Sequence, residues 1–364
     1  MHLYDAVVIG AGQAGLSASY HLGRLGLDHV VLDANDGPGG AWQHRWDSLT
    51  MDDVHGVADL PDAPAPVRSD ARANHVLPAW FERYERDGDL PVERPVRVDR
   101  VETDGALLVV GAGERRWTAR TLVNATGTWT RPFVPSYPGA RSFRGEQWHT
   151  AHYPGASHFD GRRVLVVGGG ASAVQFLGEL APRTDVLWVT RREPVWREDF
   201  DADAGRRAIT RVHERVRRGL PPESIASVTG LALRPQEQEA ARLGTYDARR
   251  PMFSRIEPDG VRWDDPAGAG QAAFERVDAI LWATGFRPAI GHLAPLHLRS
   301  ADGGIALLDG GQDVQASVTA AADPRVQLVG YGPSASTIGG NRAGRAAALA
   351  VRRHLQERAT GRAA

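Results

Sequence analysis

Short apolar, β-branched runs that stop at glycine recur along the chain, and stretches of helical spacing follow the first and third of them. Asp5–Gly10 (DAVVIG) reads as a buried parallel strand, a near-continuous apolar run without the alternation of a half-exposed one. It runs into Gly10-Ala11-Gly12-Gln13-Ala14-Gly15, a helix-compatible stretch from Leu16 to Leu25, and a second strand, HVVLDA, ending at Asp33. The succession returns with Arg163–Gly168 (RVLVVG), Gly168-Gly169-Gly170-Ala171-Ser172-Ala173, a helix through about Ala181, and the strand DVLWVT ending at Thr190. Two further strands end in Ala125-Thr126-Gly127 and Ala283-Thr284-Gly285. The pattern predicts an α/β fold of two dinucleotide-binding (Rossmann-like) domains. Helical spacing also covers about 204–218 and the tail from about Ala343, and PDAPAP (61–66) reads as a rigid turn.

Each glycine of the first loop has a separate task in such a fold. Gly10 permits the tight turn, Gly12 lets backbone approach a pyrophosphate, and Gly15 lets helix and strand pack closely; Asp33 accepts from a ribose diol. That set suits a nucleotide with a free 2′-OH, such as FAD. In the second loop Gly168, Gly170, Ser172 and Ala173 stand at the corresponding places, Ala being allowed in the third. The strand after it ends in Thr190-Arg191-Arg192, two guanidiniums and a hydroxyl that suit a 2′-phosphate, hence NADPH; Arg191 and Arg192 also fit a solvated surface pair. Thr126-Gly127 and Thr284-Gly285 fall where the chain crosses between domains. The expected division is an FAD domain over 1–159 and 282–364, with the NADPH domain, 160–281, inserted in it.

Composition narrows the chemistry. The 364 residues are 42% hydrophobic and 24% charged, with net charge −1, so no basic field argues for nucleic acid or an anionic membrane. There is no cysteine, which excludes a redox dithiol, thiolate zinc, iron–sulfur clusters and a Cys nucleophile. Lysine is also absent, which excludes Schiff-base and P-loop chemistry. No metal site is expected. No run approaches the length of a membrane span and the start carries no signal pattern, so a cytoplasmic protein is the expectation.

In order along the whole chain, GAGQAG, GGAW (39–42), ATGTW (125–129), FRGEQWHTAHY (143–153), GGGASA and ATGFRP (283–288) resemble the flavin-containing monooxygenases, class B flavoproteins with two dinucleotide domains. The 143–153 stretch is similar to the family identifier FxGxxxHxxxY at Phe143, Gly145, His149 and Tyr153; related Baeyer–Villiger enzymes carry Trp in the last place. The resemblance is strongest to short bacterial members. It implies that NADPH reduces FAD and that the flavin with O₂ forms a C4a-(hydro)peroxyflavin, which oxygenates sulfur or nitrogen of a small molecule. It further implies that the identifier links the domains, that His149 orients by hydrogen bonding, that Gly40 and Trp42 lie at the flavin, and that Thr337 opens a helix directed at it.

One departure matters. The family reads SLxTN where this chain has Ser48-Leu49-Thr50-Met51-Asp52, so Asp52 takes the place of an Asn that contacts the peroxyflavin region. A carboxylate accepts but does not donate. Either Asp52 is protonated by burial, or it points elsewhere, or the peroxide is lost as H₂O₂ and the chain is an NADPH oxidase; Asp53 and His55 are near enough to pair with it, and 52–53 also fits a solvated turn. A non-catalytic NADPH sensor is the other class, and it leaves the identifier without a purpose. A homodimer remains open.

Overall fold

The computed structural model describes residues 2–54, 57–196, 202–223, 231, 233–265, 272–309 and 317–361. The chain divides into two compact units, Met1–Thr128 with Asp203–Ile225 and Pro288–Ala364, and Trp129–Ala202 with Ala226–Arg287. His55 lies outside the described residues.

The first unit opens with β1 (Leu3–Ile9), α1 (Gln13–Arg24) and β2 (His29–Leu32); Ala6–Ile9 and Val30–Leu32 are buried, and α1 buries Leu16, Ala18 and Leu22 together with Ser17 and Ser19. After α2 (Ala73–Asp87) and β3 (Val92–Glu93) come β4 (Arg100–Asp104), β5 (Leu107–Ala112) and the ten-residue β6 (Arg115–Asn124). Strands and helices are numbered along the chain, and β15 (Val326–Leu328) with α6 (Thr337–Ala359) completes this unit. The parallel order is β3-β2-β1-β6-β15, and β4 and β5 extend the first half of β6 as an antiparallel meander. The expected helix over 204–218 is α4 (Ala202–Arg217); Val212 and Val216 are buried, and Val216 abuts Gly332.

The second unit repeats the plan. Its sheet, all parallel, runs β10 (Arg250–Pro251), β9 (Asp185–Thr190), β8 (Arg163–Val167), β14 (Ala279–Trp282), β7 (Glu146–His149). Helices α3 (Ala171–Leu180) and α5 (Pro235–Arg242) pack together, and Tyr246 Oη donates to Val174 O at 3.0 Å. A small antiparallel sheet, β11 (Arg255–Glu257), β12 (Gly260–Arg262) and β13 (Phe274–Arg276), contributes Ile256 and Val261 to a core with Leu165, Val189, Trp263 and Trp282.

The identifier segment, expected as a linker, instead supplies the edge strand β7, with Trp282 opposite His149. Its outer place in the second sheet matches that of β15 in the first, although β7 precedes the other strands in sequence and β15 follows them. No helix among the described residues is long and apolar enough to cross a membrane.

Candidate cofactor sites

The two units build the same turn with the same hydrogen bonds. Gly10 N–H donates to Leu32 O at 2.8 Å and Ala125 N–H to Ile9 O at 2.8 Å. In the second unit Gly168 N–H donates to Val189 O at 3.0 Å and Ala283 N–H to Val167 O at 2.8 Å. Gly10 (φ +102°) and Gly168 (φ +142°) sit in the left-handed region, and a Cβ on either would lie 2.7 or 2.3 Å from the carbonyl oxygen of Ala125 or Ala283. In each unit the backbone carbonyl that opens the Ala-Thr-Gly end closes over the turn, which leaves room for glycine alone.

Gly12 and Gly170 cap α1 and α3 without a side-chain bond, and no described atom lies within 4 Å of a Cβ placed on either. Each helix start therefore presents backbone N–H groups toward open space, the arrangement that receives a phosphate. Gly15 is the opposite case, since its Cβ would be 1.9 Å from Gly10 O. Ala173 in the corresponding place of the second loop is fully buried and Ser172 half-buried, so the second helix admits one methyl at its strand contact.

Around the first loop, Asp33 is buried, and its two carboxylate oxygens accept from Ala11 N–H (2.6 Å) and from Asn35 N–H and Nδ2 (2.7 and 2.8 Å). A carboxylate has about four acceptor sites and three are used, so capacity for one ribose hydroxyl remains. Gly40 (φ +52°) brings the GGAW turn against the loop: its Cβ would be 2.8 Å from Gly12 Cα. Trp42 is half-buried, its ring 5.3 Å from the Arg45 guanidinium, which burial lowers to about 10. Helix α6 crosses α1 closely; a Cβ on Gly344 would be 2.5 Å from Ser17 Oγ, and one on Gly340 3.3 Å from Ala14 Cβ. The first turns of α1 and α6 are thus neighbours. Ser336 caps α6 by accepting from Gly339 N–H at 3.0 Å; the Thr337 side chain lies outside the described ones.

Thr126 donates to Ala289 O (2.7 Å), while Gly127 takes φ +59°. Beside them, His292 donates from Nε2 to Asn124 Oδ1 at 2.7 Å, an arrangement the sequence reading missed. Burial lowers this imidazole to about 4. Because its folded value lies below the ordinary 6.5, its stability contribution is present above pH 6.5 and is lost as the pH falls toward 4. The wild type should lose roughly 2 kcal/mol between pH 7 and pH 5 that His292→Gln does not lose, read by urea unfolding at the two pH values. Equal losses in both proteins would count against the assignment.

Asp52 is exposed, and its backbone N–H donates to Ser69 O at 2.9 Å. The neighbouring Asp53 accepts from Thr50 Oγ1 at 2.6 Å, as a turn residue does. Of the alternatives open for Asp52, the one that required its burial is not met.

In the second unit His149 is buried with both ring nitrogens engaged: Nε2 donates to Gly285 O (3.0 Å) and Nδ1 accepts from Ala151 N–H (3.1 Å). Burial lowers its pKa, so the ring is neutral and holds the Gly285 turn (φ +78°). Thr284 donates to Phe133 O. Tyr153 packs on Phe176 of α3, ring centroids 4.4 Å apart. Glu146, inside the identifier, accepts from His158 (2.6 Å), Arg162 (2.7 Å) and Trp148 Nε1 (2.8 Å), which hold its carboxyl at about 2. That depressed value makes its contribution present above about pH 4.5 and lost between there and pH 2. Glu146→Gln should flatten the fall of Tm across pH 4.5 to 3; an unchanged slope would remove Glu146 from the acid response.

At the end of β9, Thr190 is buried and its hydroxyl donates to Arg192 O at 2.7 Å, so it shapes the turn. Arg191 and Arg192 are exposed. Arg249, which the sequence reading missed, donates to Thr190 Oγ1 at 3.1 Å across 59 positions.

Residues 7–230 match the family described as pyridine nucleotide-disulphide oxidoreductase. A flavin-containing monooxygenase from Stenotrophomonas maltophilia is 37% identical, with a TM-score of 0.81 over 98% of this chain and 100% of that one. A Baeyer-Villiger monooxygenase of Streptomyces coelicolor is 30% identical over 276 residues, 70% of this chain and 51% of that protein. An uncharacterized oxidoreductase, CzcO, of Bacillus subtilis is 28% identical over 288 residues, 78% of this chain and 82% of that protein.

Proposed function

Because the chain belongs to the flavin-containing monooxygenases, within the pyridine nucleotide-disulphide oxidoreductase family, we propose that it oxygenates sulfur or nitrogen of a small soft nucleophile at the expense of NADPH and O₂. FAD goes to the first unit and NADPH to the second. The observation that carries this assignment is the pair of matching turns, open over Gly12 and over Gly170, that differ in how the following strand ends: buried Asp33 against exposed Arg191 and Arg192. A carboxylate accepts from a ribose diol and repels a 2′-phosphate, whereas guanidiniums bind one.

When bound, FAD supplies the hydride acceptance and the oxygen-transfer chemistry. The protein's residues bind and orient. The first-turn N–H groups of α1, reached past Gly12, take the pyrophosphate; Gly40 and Trp42 lie beside that loop. The N–H groups of α3, reached past Gly170, take the second pyrophosphate, with Ser172 in the same turn. His149, neutral and twice hydrogen-bonded, positions Gly285 and is no proton carrier, since either role for its nitrogens would break a bond it makes.

Asp52 supports a second reading. It is exposed, and it stands where an Asn donor is expected, so H₂O₂ release in place of oxygen transfer is the competing outcome. The deciding experiment feeds NADPH and O₂ to FAD-loaded protein with a thioether or a tertiary amine and quantifies sulfoxide or N-oxide beside H₂O₂. Product formed in proportion to NADPH, at low H₂O₂, is expected. H₂O₂ equal to NADPH with every nucleophile would overturn oxygenation in favour of an oxidase, and Asp52→Asn should then lower the peroxide yield.

A further inference from the structure

We propose that Arg249 is a third guanidinium for the nucleotide 2′-phosphate and that Glu193 competes with that phosphate for it, the pair setting the preference for NADPH over NADH. The inference rests on reading the end of β9 as the 2′-phosphate site. Strand β10 lies beside and parallel to β9 with Arg250 opposite Val189 and Pro251 opposite Thr190, so Arg249 sits one step behind that register and its side chain reaches forward to the strand end. Two adjacent arginines then part company. Arg250 is buried, its guanidinium 3.7 Å from the Trp263 ring centroid and paired with Glu275 at 2.9 Å, so its role is structural. Arg249 reaches Thr190 Oγ1 at 3.1 Å, the same hydroxyl that holds Arg192 O, and so stands in the turn that carries Arg191 and Arg192.

The other amino group of Arg249 lies 3.4 Å from Glu193 Oε1, and the Glu193 side chain is 83% exposed against 22% for Arg249. A long, solvated contact of this kind contributes little. A phosphate dianion accepting two parallel N–H bonds from a guanidinium is the stronger partner. Arg249 has five N–H donors, so it can keep Thr190 while exchanging Glu193 for phosphate. Glu193 therefore lowers affinity for the phosphorylated nucleotide without touching the unphosphorylated one.

The test measures binding of 2′,5′-ADP and of 5′-AMP to FAD-loaded protein by calorimetry; both carry the 5′-phosphate, so its contribution cancels in the ratio. Glu193→Gln should tighten 2′,5′-ADP by about two- to fivefold and leave 5′-AMP unchanged. Arg249→Leu should weaken 2′,5′-ADP by about tenfold or more with little effect on 5′-AMP, and Arg249→Lys should recover part of the loss. Equal weakening of both ligands by Arg249→Leu would reduce Arg249 to a structural residue, and an unmoved ratio in Glu193→Gln would remove the competition. If Arg249→Leu does not fold, the Glu193→Gln ratio decides alone. The Arg191→Ala/Arg192→Ala protein separates the two levels. A ratio untouched there overturns the site reading itself, whereas a ratio that collapses there but not in Arg249→Leu overturns only this inference.

Discussion

Gly15→Ala should yield no folded protein that holds FAD, whereas Gly12→Ala should fold normally and bind FAD roughly 10- to 100-fold more weakly. The two glycines are three positions apart in one loop, and only the tertiary contacts separate them. A Cβ on Gly15 would sit 1.9 Å from Gly10 O, a backbone atom held by the turn under Ala125, so helix α1 would have to leave the sheet. Overpacking of an ordinary core costs about 1–3 kcal/mol. Here no side chain can swing aside, and a cost above about 4 kcal/mol is a large share of a typical domain's stability. Gly12 has φ −79°, which any residue adopts, and no described atom near its Cβ. On the proposed reading its methyl would occupy the space where a pyrophosphate approaches, removing one charge-assisted bond worth about 1.5–3 kcal/mol. Thermal unfolding of FAD-stripped protein and a fluorescence titration with FAD read the two effects. A Gly15→Ala protein melting with the wild type, or a Gly12→Ala protein with wild-type FAD affinity, would refute the respective assignment.

Replacing both Arg191 and Arg192 with Ala should raise KM for NADPH by about 100-fold and that for NADH by less than about threefold. Both side chains are exposed at the end of β9, so their removal leaves no cavity and no orphaned buried partner, and stability should change by no more than about 0.5 kcal/mol. On the proposed reading, what is lost is two cations for a 2′-phosphate that NADH lacks. Steady-state kinetics with the two nucleotides, alongside Tm, checks this. Equal increases in both KM values would mean that the arginines act on the shared part of the nucleotide or on the fold.

The glycine loops could be read from the sequence because their requirements are local. A turn needing φ > 0, a helix start without a side chain and a close strand contact all fall within six consecutive residues, and the hydrophobic runs before them identify buried parallel strands. The chemistry excluded by absent cysteine and lysine also needed no coordinates. The same locality explains what was missed. His292 reaches Asn124 across 168 positions and His149 reaches Gly285 across 136, and nothing in a composition or a spacing links such pairs. The strand character of 146–149 was hidden because EQWH is short and mostly polar; β14, by offering its edge, decides it.

Residue type and spacing by themselves thus determined the α/β class, the paired nucleotide turns and the contrast between Asp33 and Arg191–Arg192. Tertiary structure alone decided that Thr190 is a buried prop for its turn, that Arg249 reaches Thr190, and that Asp52 is exposed. The reason is physical. Backbone geometry is fixed by neighbours along the chain, whereas burial and hydrogen-bond partnership are fixed by whichever distant segment the packed sheets bring alongside.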